Sequence, residues 1–359
     1  MQRPAQFILA IAIAIGLAAC ARQTPPPPTV SIPAKPVSFL ADVKPVLDQR
    51  CVVCHSCYNA ACQLKLSSFE GVDRGGSKDA VYSSTRLTDQ APTRLFVDAT
   101  TTAGWRKKGF HSVTQPTGGG AEDQSVMAYL LDAKRLDPIP EGRYQAEADD
   151  LSCAADTGEI RGFLADHPGR GMPFGFPALP EEDYRTLMIW LEQGAPGPDA
   201  AEQAALTTPS PAAARRIETW ETFLNRDDPK HAMTARYLYE HFFLASLRFP
   251  DADDREFFRL VRSTTPPGQP VSIIATVRPY DDPGVETFYY RFEKIHSTIV
   301  LKTLMVVDFD EQRLRRYREL FIDTPWLEEP RRMEYGDRES ANPFLIYAQI
   351  PPRVRYQFL

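Results

Sequence analysis

Apolar residues fall along this chain in several distinct rhythms, and each predicts a different element. Residues 7–19 form an unbroken apolar run with the single cation Arg3 ahead of it. Its thirteen residues fall short of the about 20 that a bilayer span needs, and fit the core of an export signal. Leu40, Val43 and Leu47 recur at helical spacing. Pro45 is tolerable there only in a first turn, so the pattern predicts a short helix running up to Cys51. A second helix is predicted from Glu181, where acidic residues fill the first turn and Tyr184, Leu187, Met188 and Leu191 make one apolar stripe. Gly194 and Pro196 stop it. Residues 216–224 and 232–249 keep helical character, whereas 93–98, 271–277, 288–292 and 297–307 are β-branched or aromatic runs that predict strands.

Composition narrows the function classes. With 359 residues, 43 % hydrophobic, the chain has room for about two domains of 100 to 200 residues. Its 41 Lys+Arg against 47 Asp+Glu give a net charge of −6, which lacks the basic surface that phosphate-backbone binding requires and excludes a nucleic-acid partner. Two counts are unusual. Prolines number 32, well above the roughly 5 % of average proteins, and four of the six cysteines crowd into residues 51–62.

The apolar run ends in Leu17-Ala18-Ala19-Cys20, which resembles the lipobox of bacterial lipoproteins. That resemblance implies removal of residues 1–19 and lipidation of Cys20; Ala21 in the next position favours outer-membrane retention. The mature chain then carries −7 and is held in the periplasm by acyl chains rather than by charge. Pro25 to Pro28, with Pro33 and Pro36, favour an extended polyproline stalk over residues 20–38.

The cysteines carry the candidate chemistry. Cys51-Val52-Val53-Cys54-His55 is C-x-x-C-H, the attachment signature of c-type haem. Two thiols three residues apart reach the two vinyl groups of one porphyrin, and the following imidazole turns to the iron. One covalent haem c is therefore expected, on Cys51 and Cys54, with His55 as proximal ligand. Cys51, Cys54, Cys57 and Cys62 also make C-x2-C-x2-C-x4-C, so an iron–sulfur or zinc site is a competing reading. With three cysteines committed to lipid and haem, Cys57, Cys62 and Cys153 remain, and one pair should bridge in an oxidising compartment. Cys62 with Cys153 and Cys57 with Cys62 both stay open.

Gly171-Met172-Pro173 ahead of a helix carrying Trp190, Leu191, Gly194 and Ala195 resembles the C-terminal half of a class I cytochrome c. The resemblance implies Met172 as distal iron ligand; Met127, His111 and His167 are the alternatives. Met172 lies 117 residues beyond His55, further than in a small cytochrome, and so implies a long insertion at about 63–150. The expected fold is a mainly α cytochrome c-like (class I) domain over 39–200, followed by an incomplete α+β domain over 201–359.

A narrower resemblance lies in the continuous text around Cys51–Tyr58, Cys62–Gly71 and Pro92–Ala99, with further matches around Met172, at Phe223–Asp228 and at Ala235–His241. These segments resemble the fatty acid cis/trans isomerases of Gram-negative bacteria. Family members continue past Leu359, so the sequence reads as the N-terminal half of such an enzyme. The resemblance implies cis-to-trans isomerisation of membrane phospholipid acyl chains, with haem iron transiently withdrawing electron density from the double bond. It implies no diffusible cofactor. A membrane-tethered electron-transfer cytochrome, with a redox partner of unknown identity, is the alternative. Phe174 and Phe176 are candidates to line the haem approach. His231, His241 and His296 read as structural, and Tyr237, His241 and Phe242 as a packed helix face rather than an acyl channel.

Overall fold

The computed structural model describes residues 36–57, 60–83, 86–87, 89–117, 123–138, 153–300, 305–331, 334–336 and 340–358. The export signal, Cys20 and most of the stalk lie outside the described residues, as do 84–85, 88, 118–122 and 139–150 of the expected insertion. Helices dominate, with a small mixed sheet, so the class is mixed α and β. The chain divides into two compact units, one of residues 1–55, 59–88 and 102–197, the other of 56–58, 89–101 and 198–359. Among the described residues no helix is long and apolar enough to cross a membrane.

In the first unit a π-helical turn, Phe39–Val43, runs into α1 (Lys44–Arg50). Ser38 caps the turn, Pro45 sits in the first turn of α1, and Phe39, Val43 and Leu47 are buried as the spacing requires, with Leu40 half-buried. Short helices α2 (Phe69–Arg74) and α3 (Thr102–Lys107) flank a two-residue hairpin of β1 (Tyr82–Ser83) and β2 (Arg86–Leu87). Ser125 caps α4 (Val126–Leu136) and Asp156 caps α5 (Thr157–Asp166); the two bury Val126, Tyr129, Ala133, Ile160 and Leu164 against each other. The predicted final helix is α6 (Glu181–Glu192), with its apolar stripe buried and Gly194 at φ 84° beyond its end. Trp190, also buried, packs on Phe39 at 5.9 Å and donates to the Pro196 carbonyl.

The second unit opens with α7 (Ala200–Thr207), α8 (Pro211–Leu224) and α9 (Pro229–Phe242). Its sheet runs in the order β5 (Tyr289–Ile295), β4 (Asp253–Ser263), β3 (Ser246–Phe249), β6 (Val306–Asp308), antiparallel except for the β3–β6 pair. Then come α10 (Glu311–Tyr317), continued by a π-helical segment Arg318–Asp323, and the short α11 (Pro343–Ile346) and α12 (Pro352–Phe358). Trp220, Phe249, Phe258 and Phe309 are fully buried at the centre, each worth about 1.5–3 kcal/mol of apolar burial.

Several predicted elements are corrected. The helix expected over 232–249 ends at Phe242, because Ser246 to Phe249 pair with β4 and β6. Residues 271–277 contribute one isolated bridge, Ser263 to Ile273, rather than a strand. The 297–307 run yields only the start of β6, with 301–304 outside the described residues. The 93–98 segment is a turn with Phe96 at φ 70°, clamped by Arg94 on Asp98. The longest strand, β4, was not predicted.

Beneath the sheet, Glu221 on α8 and Arg291 on β5 form a buried ion pair at 2.9 Å, 3 % and 7 % exposed. Glu221 also accepts from the Phe292 amide, and Arg291 donates to the carbonyls of Thr265, Pro266 and Gln269. Arg291→Met leaves the carboxylate without its counter-charge and is expected to cost about 3–5 kcal/mol in urea denaturation. A change below about 1 kcal/mol contradicts this account.

Candidate functional site

The C-x-x-C-H segment is a turn fixed at both ends. At its start, the Cys51 and Val52 amides close on the Leu47 carbonyl, and Arg50 binds Asp183 of α6 at 2.9 Å. Within it, the Cys54 and His55 amides donate to the Cys51 carbonyl at 3.1 and 3.0 Å. Val52 points into the core, which leaves Cys54 exposed and Cys51 and His55 half-buried. Both cysteines carry free thiols. Burial, followed by the neighbouring Cys54, pushes the Cys51 thiol up to about 12, so it stays protonated.

The His55 ring is held by the chain that follows. Its Nδ1 lies 3.2 Å from the Leu64 carbonyl, and the His55 carbonyl accepts from the Leu66 amide at 2.8 Å. A carbonyl can only accept, so Nδ1 carries the proton and Nε2 is the lone-pair nitrogen. Burial lowers the ring's pKa, outweighing the opposing Leu64 bond, and favours the neutral form that ligates metals.

Cys62 is bonded to Cys153, closing a separation of 91 residues. Its sulfur is therefore unavailable to a four-thiol cage, and among the described residues no group of three or more His, Cys, Asp or Glu side chains is placed to hold a metal ion. What the turn offers is a different donor set: two free thiols three residues apart and an adjacent neutral imidazole. That set fits a c-type haem.

Met172 lies on another segment of the same unit. Its amide donates to the Leu130 carbonyl of α4 at 2.8 Å, and its peptide bond to Pro173 is cis. Gly171 makes this approach possible: a Cβ there would stand 2.6 Å from the Lys134 Cα. Met172 is half-buried, Phe174 lies under the Arg170 guanidinium at 5.5 Å, and Phe176 is exposed. The backbone bond from Met172 to Leu130 joins this loop to α4. Among the alternatives, Met127 is buried in the first turn of α4, His111 hydrogen-bonds the Ala154 backbone, and His167 packs on Phe163 at 5.0 Å.

The second unit carries an open cavity of about 740 Å³, within the about 300–1,000 Å³ range of small-molecule sites. Its wall is mostly apolar, including Phe242, Phe257, Met305, Val307 and Phe358, with Arg248, Asp308 and Arg313 alongside. His241 lines it while its Nδ1 bonds the Tyr237 carbonyl at 2.7 Å and its ring packs on Phe358 at 5.1 Å. Tyr237 is packed as expected, but its neighbours His241 and Phe242 border a groove. His231 is a core residue bonded to Asp228, and His296 packs on Phe96 at 4.6 Å.

A family model described as fatty acid cis/trans isomerase matches residues 90–359, most of the chain. The chain belongs to the fatty acid cis/trans isomerase family. It is thus an isomerase, of a family that acts on fatty acyl chains. No curated protein and no solved structure matches it. The matched stretch of the isomerase takes in Met172 and the groove but begins after His55, so family membership and the C-x-x-C-H motif are separate observations.

Sequence reasoning missed the isomerase's Leu64 carbonyl, since a backbone acceptor has no residue signature. The groove was missed because its residues come from α9, β3, β4, β6, α10 and α12, which only the fold brings together.

Two predictions follow from this geometry. Gly171→Ala forces the Met172 segment off α4 and is expected to cost about 1–3 kcal/mol in denaturation; an unchanged midpoint contradicts it. His55 and His111 both have lowered pKa values, chiefly from burial. An imidazole depressed in the fold stays neutral while the unfolded chain takes its proton, so stability is full above about pH 6.5 and is lost as pH falls toward the folded-state pKa. The urea midpoint of the haem-free chain is expected to fall on acidification below about pH 6.5, less steeply in His111→Gln, and a midpoint that rises refutes this.

Proposed function

We propose that this isomerase converts cis double bonds of membrane phospholipid acyl chains to trans with one covalently attached haem c, in the periplasm, from a lipid anchor at Cys20. The observation that supports the haem reading is the His55 ring, fixed through Nδ1 so that Nε2 faces metal chemistry, beside two free thiols. Cys51 and Cys54 would hold the porphyrin, and His55 and Met172 its iron; in this reading the first unit is cytochrome c-like.

When bound, the haem supplies an electron-withdrawing iron that lowers the bond order of an alkene, so that a rotation otherwise prohibitively slow becomes accessible. The rest belongs to the chain. The Leu64 carbonyl keeps the imidazole oriented and raises its basicity, which tunes the iron potential. The apolar wall of Phe257, Met305, Val307 and Phe358 takes the hydrocarbon out of water, and the adjacent Arg313 suits a phosphodiester headgroup, while Arg248 is ion-paired with Asp308. Rotation moves no proton, so the reading needs no acid–base pair. Family membership favours it over an electron-transfer relay.

The test incubates the purified haem-loaded full chain with cis-unsaturated phospholipid vesicles, without electron donor or acceptor, and reads trans acyl chains by gas chromatography. Wild type is expected to form trans product, Cys51→Ala to lose it with the haem, and Val307→Trp to lose at least about tenfold with haem retained, by blocking the groove. Equal trans product from Cys51→Ala overturns the haem reading, and unchanged turnover in Val307→Trp overturns the groove assignment. Rapid redox exchange with a partner cytochrome and no trans product favours the relay.

A further inference from the structure

Arg74, at the end of α2, is 1 % exposed, an expensive place for a cation. Its guanidinium lies 5.3 Å from the Trp105 ring centroid and 4.7 Å from that of Phe110, and these two rings pack edge to face. Arg106 reinforces the helix end by donating to the carbonyls of Asp73 and Arg74 at 3.0 and 2.9 Å. From this sandwich Arg74 donates through one terminal nitrogen to the carbonyl of Gln63.

That carbonyl belongs to a constrained stretch of backbone. Cys62 and Gln63 have φ of 54° and 49°, two successive non-glycine residues in the left-handed region. Each such residue costs of order 1–3 kcal/mol and persists only where its surroundings over-determine it. Four contacts do so here. Cys62 is bonded to Cys153, its carbonyl accepts from the Ser77 amide, the Gln63 side chain donates to the Asp79 carbonyl, and Arg74 holds the Gln63 carbonyl. The next residue is Leu64, whose carbonyl receives the His55 Nδ1–H.

We infer that Arg74 is a positioning residue for His55: by clamping the Gln63 carbonyl it fixes the peptide immediately before the one that carries the Leu64 acceptor, and so sets the imidazole's tautomer and its donor strength toward iron. The inference rests on the haem reading for its purpose, but the geometry it concerns is present in the haem-free chain. Arg106 hydrogen-bonds the α2 carbonyls of Asp73 and Arg74 rather than the Gln63 carbonyl, and Arg106→Gln therefore serves as the control for a merely structural role.

Full-length wild type, Arg74→Gln, Arg74→Lys and Arg106→Gln are compared by nitrogen NMR of the His55 ring in the haem-free chain, at a pH where imidazole is neutral. The reduction potential of the haem-loaded chain is the second reading. Wild type is expected to hold the Nδ1–H tautomer. Arg74→Gln should shift toward Nε2–H, the form imidazole prefers in water, and should raise the potential, because the ring then donates less to the oxidised iron. Arg74→Lys, which keeps a single donor, should fall between them, and it carries the test if Arg74→Gln does not fold. Arg106→Gln should lower the denaturation midpoint and leave tautomer and potential unmoved. A folded Arg74 variant with the wild-type tautomer and potential overturns the inference, as does an equal shift in Arg106→Gln. A wild type that binds no haem sinks the haem reading alone, since the tautomer comparison still decides the role of Arg74.

Discussion

The hydrogen bond from His55 Nδ1 to the Leu64 carbonyl is the interaction on which the candidate site turns. It decides which ring nitrogen is left for a metal, and it is made nine residues downstream by a backbone atom. Such a bond is only as good as the placement of the segment that supplies it. Much of the first unit's unusual local structure serves that placement: the left-handed Cys62–Gln63 pair, the Cys62–Cys153 disulfide and the buried Arg74 all act on the peptides just before Leu64. On the other side of the motif, the Arg50–Asp183 pair ties the end of α1 to the first turn of α6. The two thiols and the imidazole are thus set by flanking contacts rather than by the five-residue motif alone.

The second unit solves a different problem. Its centre is aromatic and tightly filled, and the buried ion pair of Glu221 with Arg291 has every charged atom answered by a backbone or side-chain partner. The groove draws on β3, β4 and β6 with α9, α10 and α12, where Met305 is half exposed and Val307 is incompletely covered. An apolar surface left open beside arginines is costly in water and useful to a family whose substrates are acyl chains.

Sequence patterns were legible where one element carried its own signals. The final helix of the first unit could be read from its acidic start, apolar stripe and Gly194 stop, and the helix before Cys51 from three apolar positions and one proline. The C-x-x-C-H motif and the G-M-P loop were equally plain, and the structure explains the loop's glycine by its approach to α4. The failures have physical causes. β4 escaped because it opens on four consecutive charged residues, Asp253 to Glu256, and then breaks its apolar positions with Arg259, which pairs across the sheet with Glu293, and Arg262, so its hydrophobic signal is diluted. The helix expected over 232–249 absorbed β3, because an aromatic-rich stretch fits a buried helix and a buried strand alike. The groove and the Leu64 acceptor were invisible because both are products of tertiary arrangement.

The central claim is that the Cys51–His55 turn carries covalent haem, and the absorption spectrum of the exported full chain before and after acid–acetone extraction tests it most directly. The account predicts a sharp Soret band with reduced α and β bands that stays with the polypeptide through extraction and is absent from the Cys51→Ala, Cys54→Ala double variant. A chain with no visible absorption, a broad charge-transfer spectrum, or a haem that leaves with the solvent would contradict it.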